Sequence, residues 1–194
     1  MDLSPTLSRF VLHWGEMGTR WGVNRTVAQI HALLYITGRP MHAEEIADTL
    51  SVARSNVSNS IRELQSWNLV KLVHLVGDRR DHFESSTEVW ELLRTIVRER
   101  QRREIAPTIQ VLHELLADPG IGKDPADAKR RMRETLELLE TLTAWSDEML
   151  RLDTETLTKV LKLGARIKKL LGRDAAQGKG RKATEITAAH LLGP

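Results

Sequence analysis

Apolar residues recur at spacings of three and four along most of the chain, and glycine and proline cut the runs into segments. A first helix is predicted over Pro5–Met17, ending among Gly15, Gly18 and Gly22. A second opens at the N-cap residue Asn24, buries Val27, Ile30, Leu33 and Leu34, and stops at Gly38 before Pro40. A short third helix spans Ala43–Leu50 with Ile46, Ala47 and Leu50 inward. After the break Ser51-Val52-Ala53, a fourth runs Arg54–Trp67 with Val57, Ile61 and Leu64 inward. The period then changes from helical to alternating. Leu69–Val76 reads as a strand, Gly77–Asp81 as a turn, and His82–Ser85 as the return strand of a hairpin.

Beyond the hairpin the pattern is helical again. Ser85 and Glu88 have capping-box spacing and open a long helix to Ala117, which Pro107 is expected to kink or split. Asp118–Gly122 is a loop. Asp124 is expected to cap a helix whose first residue is Pro125 and whose stripe is Met132, Leu136, Leu139, Leu142, Trp145 and Met149. A last helix is predicted over Thr154–Leu171. The remainder, rich in small, polar and basic residues, reads as a flexible tail over 173–194.

Helix, helix, short helix, three-residue turn, helix and basic hairpin follow the order of a winged helix-turn-helix. The fold class expected is therefore mainly α, with a small β-hairpin wing and a C-terminal helical dimerisation region. With Val57, Ile61 and Leu64 buried, the fourth helix leaves Arg54, Ser55, Asn56, Ser58, Asn59 and Arg62 toward solvent. Short polar side chains let such a helix approach base edges in a major groove; Asn matches adenine and Arg matches guanine. Ser55, Asn56, Asn59 and Arg62 are the candidates for base or adjacent phosphate contact, and Arg54 and Ser58 for backbone contact. At the hairpin tip, Arg79 and Arg80 lie between Asp78 and Asp81. One arginine is expected to reach DNA, with Arg79 the choice, while the aspartates orient the tip. Asn68, where the chain turns out of the fourth helix, is expected to serve a left-handed backbone.

The motifs Trp14-Gly15-x-x-Gly18, Ala32–Ile36, Ala43-Glu44-Glu45-Ile46-Ala47-x-x-Leu50, Ser55–Leu64 and Gly77-Asp78-Arg79-Arg80-Asp81-x-Phe83 together resemble the GbsR/MarR group of bacterial and archaeal transcription regulators. The resemblance covers roughly residues 8–115 and is most specific from Ala43 to Phe83. It implies a homodimer that binds operator DNA through two winged domains, dimerises through terminal helices and responds to a small molecule. Ala53, where a Ser or Thr cap is common, and Asn68, where Gly is usual, depart from the pattern.

Composition narrows these readings. The 194 residues carry 29 Lys+Arg against 26 Asp+Glu, a net charge of +3. Residues 1–90 hold nine basic and ten acidic residues, and residues 91–194 hold 20 and 16, so the basic surplus lies outside the reading region. The nucleic-acid reading thus rests on local spacing rather than net charge. The absence of cysteine removes disulfides and thiolate chemistry and fits a reducing cytoplasm. Met1–Pro5 opens no secretory signal, and no apolar run is long enough to span a membrane. The seven histidines are scattered without ligand spacing, so no metal is expected. No nucleotide loop or nucleophile elbow appears, and neither an enzyme nor a cofactor is expected.

The two C-terminal apolar stripes exceed what a helical hairpin can cover. A second copy is therefore expected, rather than a closed monomeric bundle. The expected domains are a reading head over 1–87, a helical dimerisation and effector region over 88–172, and the tail. Trp14 and Trp21, with Trp90 or Trp145, could line an effector pocket for a quaternary ammonium group; the simpler reading makes Trp14 and Trp21 packing anchors. The partners expected are double-stranded DNA, a second copy and a small-molecule effector, with no membrane. The rival readings are a winged protein-interaction module and a nonspecific architectural DNA-binding protein.

Overall fold

The computed structural model describes residues 2–123 and 125–164. Its chain divides after Leu139 into two compact units. The first unit contains α1 (Pro5–Arg20), α2 (Arg25–Thr37), β1 (Met41–His42), α3 (Ala43–Leu50), α4 (Arg54–Ser66), β2 (Lys71–Val73), β3 (His82–Glu84) and α5 (Val89–Arg100). A π-turn over Gln101–Ile105 leads into α6 (Ala106–Ala117), and a 3-10 segment, Pro119–Lys123, precedes α7 (Ala126–Arg151). Residues 154–164 are helical. The architecture is mainly α with a small winged sheet.

Val11, Ile30, Leu33, Leu34, Met41, Ile46, Val57, Ile61 and Leu64 share one apolar core, formed where α1–α4 meet the strands. The α2 helix is buried along eight consecutive residues, Val27–Leu34, because α1 covers one side and α4 another. Asn24 caps it by accepting the Thr26 amide at 2.8 Å, and Gly38 ends it in the left-handed region at φ 61°.

Several boundaries differ from the sequence reading, each for a physical reason. Gly15 and Gly18 do not end α1, which continues to Arg20. Their missing side chains serve close packing. A Cβ at Gly18 would stand 2.5 Å from Ala28 Cβ, and one at Gly15 would stand 2.6 Å from Gln29 Cγ. The sheet is also larger than a hairpin. Met41 and His42 add a third antiparallel strand, giving the order β1-β3-β2 with Met41 opposite Phe83 and Leu72 opposite Phe83. The paired part of the wing is correspondingly short, because only Lys71–Val73 of the expected Leu69–Val76 strand finds a partner.

Ser85 does not cap α5. The helix starts at Val89, and the Ser86 hydroxyl instead accepts the Glu88 amide at 3.2 Å. Pro107 acts as expected on the long helix. Its ring would collide with a carbonyl four residues back in a regular α-helix, and the turn before it is widened, with the Ala106 amide reaching the Gln101 carbonyl. Pro125 stands one residue ahead of α7 rather than at its first position, since its carbonyl accepts the Ala128 amide at 3.0 Å. The cap expected at Asp124, the end of the last helix and the 173–194 tail lie outside the described residues.

Along α7, Leu136 and Leu150 are buried, whereas Leu142 and Trp145 are exposed. In the second unit Leu157 is also buried. No helix among the described residues is long and apolar enough to cross a membrane.

Candidate nucleic-acid interface

The turn between α3 and α4 is made by the backbone. Ser51 takes φ 54°, and the Val52 amide closes back onto the Ala47 carbonyl at 3.0 Å. The sequence pattern gives no sign of this left-handed serine. Ala53 then opens α4 without a side-chain cap, which leaves amides at the helix start without an intrahelical partner.

Val57, Ser60, Ile61 and Leu64 bury one side of α4. Arg54, Ser55, Asn56, Ser58, Asn59 and Arg62 are all exposed. Their resting partners differ. Arg54 pairs with Glu44 of α3 at 3.0 Å, with both groups exposed. Such a pair is worth little in water and exchanges readily for another anion. The Arg62 guanidinium donates to Asn59 Oδ1, so two of the four candidates for base contact form one unit one turn apart. This bond engages Asn59 Oδ1 on a residue that is itself exposed.

The wing treats its two arginines differently. Arg80 donates to Asp78 through Nε at 2.9 Å, its own amide reaches the same carboxylate at 3.0 Å, and its Nη1 lies 2.9 Å from His42 Nε2. These bonds hold the Asp78 carboxyl well below the usual carboxylate range. His42 also caps α3, accepting the Glu45 amide at Nδ1 over 3.2 Å. His82, buried beneath the tip, has Nδ1 3.0 Å from the Arg80 carbonyl and Nε2 3.5 Å from Asp78. Arg79 is exposed and has no charged partner among the described residues. Asp81, expected to help orient the tip, forms no ion pair there; of the two aspartates, Asp78 holds Arg80. The double use of His42 and the burial of His82 escaped the sequence reading, because both depend on strand pairing between distant residues.

Asn68 takes φ 55° directly after α4, in line with its expected backbone role. It has a second role that spacing could not reveal, since its Nδ2 donates to Glu99 Oε1 at 2.8 Å.

The tryptophans are distributed unevenly. Phe10 stacks on Trp14 at 5.4 Å between ring centroids, and Trp21 meets Trp14 edge-on at 6.4 Å. Trp14 and Trp21 are exposed, while half-buried Trp90 shares no ring contact with either. Trp145 lies in the second unit. Among the described residues, no group of three or more His, Asp or Glu side chains could hold a metal ion.

The exposed polar face of α4, the tight turn before it and the wing tip lie within a segment that matches a known family model. Residues 21–81 match the model of the MarR family. The MarR match extends from the end of α1 to the wing and thus contains every candidate reading residue. Beyond it, the crystal structure of a transcriptional regulator is similar over 75% of this chain and 96% of its own, with 22% identity and a TM-score of 0.64. That likeness extends the shared fold past the wing. The crystal structure of NadR in complex with 4-hydroxyphenylacetate covers 76% of this chain and 89% of its own at 17% identity, with a TM-score of 0.34. The structure of zinc-responsive ZitR from Lactococcus lactis covers 62% and 76% at 16% identity, with a TM-score of 0.32. Among curated proteins no relative matches the chain.

Proposed function

We propose that this chain is a homodimeric transcription regulator that reads a pseudo-palindromic operator in double-stranded DNA. The observation that carries the reading is α4. One side is locked into the core by Val57, Ser60, Ile61 and Leu64, and six polar side chains stand exposed on the other. Ser55, Asn56, Asn59 and Arg62 read bases or adjacent phosphates, Arg54 and Ser58 hold the backbone, and Arg79 extends the wing toward the minor groove. Arg80, already committed to Asp78, shapes the tip. Promoter occlusion, and hence repression, is the simplest mode of action. The reading contains no catalytic step.

Dimerisation is supported by large apolar side chains left exposed on α6 and α7, among them Val111, Leu115, Leu138, Leu142 and Trp145. We assign 1–87 to the reading head and 88–172 to dimerisation. Two-fold symmetry then sets half-sites roughly 34–36 Å apart. A small-molecule effector would act by changing that spacing, and the exposed Trp14–Trp21 pair is one place for it to bind. A cytoplasmic location follows from this role.

Selection of bound duplexes from a random pool, followed by mobility shift against random competitor, tests the reading. Selective binding with dyad symmetry supports it. Equal binding to all duplexes would replace it with an architectural role, and no binding with a protein-contact module. Asn59→Ala is expected to cost about 1–3 kcal/mol of discrimination at one base pair. Arg79→Ala is expected to weaken binding to all sequences and lower the salt slope by about one. If Arg80→Ala lowered that slope and Arg79→Ala did not, the assignment of the wing arginines would be reversed.

A further inference from the structure

The end of α4 is held by a cluster that the DNA-reading face does not explain. Three consecutive residues, Ser66, Trp67 and Asn68, are each gripped from residues 99–103. The Ser66 carbonyl, among those α4 leaves unpaired at its end, accepts from Arg103 Nη2. The Arg103 guanidinium lies over the Trp67 ring at 4.7 Å. Asn68 donates to Glu99 Oε1 at 2.8 Å, while Glu99 Oε2 accepts from Arg102 at 2.6 Å and Arg103 at 3.0 Å. Both carboxylate oxygens are therefore in use, on a side chain that is itself buried. These bonds draw the Glu99 carboxyl down to about 2.

The cluster lies where the long helix is irregular. Glu99 belongs to the last α-turn before the π-turn, and Arg102 and Arg103 belong to the π-turn itself. A π-turn holds an extra residue, so closing it would shift the phase of its arginines against Glu99 by up to about 100° of helix rotation.

We propose that Glu99 is a positioning residue for α4, and that the Glu99–Arg102–Arg103 turn is the latch through which the long helix sets the pose of the reading face. The proposal rests on the DNA-reading role of α4. Leverage makes it consequential. Ser55 lies eleven residues from Ser66, or about 16 Å along the axis. A tilt of about 5° at the latched end would move it by about 1.4 Å, more than a paired hydrogen bond to a base edge tolerates.

Asn68→Asp, alone and combined with Glu99→Gln, tests the latch. Aspartate tolerates the left-handed backbone, so the turn itself is kept. The single variant sets two carboxylates against each other. Glu99→Gln removes the repulsion, since the glutamine amide donates to the new aspartate while its oxygen still accepts from the arginines. Two readouts are needed: amide hydrogen exchange at position 68 and Leu69, and the ratio of binding to a selected operator and to random duplex. In the single variant, exchange at position 68 and Leu69 should rise about tenfold and selectivity fall about tenfold, with random-duplex binding kept within about twofold. The double variant should recover most of both.

Unchanged exchange in Asn68→Asp, or no recovery in the double variant, overturns the latch. Recovered exchange with selectivity unmoved throughout overturns the positioning role. If the wild-type chain binds no duplex selectively, the DNA-reading role fails by itself. Glu99 is then judged on exchange alone, where acceleration and rescue support the latch and their absence overturns it.

Discussion

Acidification from pH 6.5 to 4 is expected to remove about 3 kcal/mol of stability through one residue, His31. His31 is buried in α2, and its Nε2 has no hydrogen-bond partner among the described residues. Charging it there would leave an imidazolium without solvation, so burial lowers its pKa from 6.5 to about 4. The direction follows from proton uptake. Below pH 6.5 the unfolded chain takes up a proton at this site that the folded chain refuses until about pH 4. Stability therefore falls as pH drops through that window and is not lowered further by this group below it.

Glu99, drawn down from 4.5 to about 2, acts in a lower window. Its contribution is present above pH 4.5 and is lost as pH falls toward about 2. The two contributions are thus separable. Urea unfolding at pH 7, 5.5 and 4.5 should show the slope, and His31→Leu should flatten it. An equal slope in both proteins would mean that His31 opens to water or finds an acceptor.

The second large effect concerns the approach of α1 to α2. Gly18→Val is expected to destabilise the fold by about 2–3 kcal/mol, or roughly 2–4 °C in Tm for each kcal/mol. Ala28 Cβ, which the new side chain would meet, is fixed to the α2 backbone and cannot move aside without separating the helices. Gly15→Ala provides the contrast. Its Cβ would meet Gln29 and Arg25 side-chain atoms, which can rotate, and an alanine in a helix interior gains about 1 kcal/mol over glycine. It should fall within about 1 kcal/mol of the wild type. Thermal unfolding of the two variants compares them directly, and equal losses would show that helix approach is not what selects glycine at position 18.

These two glycines also show where the sequence can mislead. At the level of pattern, glycine signals a break, and Gly15 and Gly18 read as the end of α1. Their role depends on α2 lying alongside, which no local pattern carries. The inward spacing of Val57, Ile61 and Leu64 was legible because a helix repeats every 3.6 residues whatever its neighbours, and that was enough to place the exposed face of α4. Asn68 was half legible. Its left-handed backbone follows from residue type, while its bond to Glu99 joins residues 31 apart. The strand Met41–His42 was hidden for the same reason, since two residues after a proline carry no period and become a strand only by pairing with β3. The wing arginines look alike in sequence, and the Asp78 carboxylate and the His42 ring, both engaged by Arg80, separate them.

Two left-handed residues bracket α4, Ser51 at φ 54° and Asn68 at φ 55°. The helix enters and leaves through reversals built into the backbone, and its grip on the core comes from four side chains on the opposite face. The six outward positions carry none of that burden, so each can be exchanged at the cost of an ordinary surface substitution, within about 0.5 kcal/mol. Under the proposed reading role, address and scaffold are thus written on separate residues. A regulator built this way, as proposed, would acquire a new target by drift at Arg54, Ser55, Asn56, Ser58, Asn59 and Arg62 without passing through an unfolded ancestor.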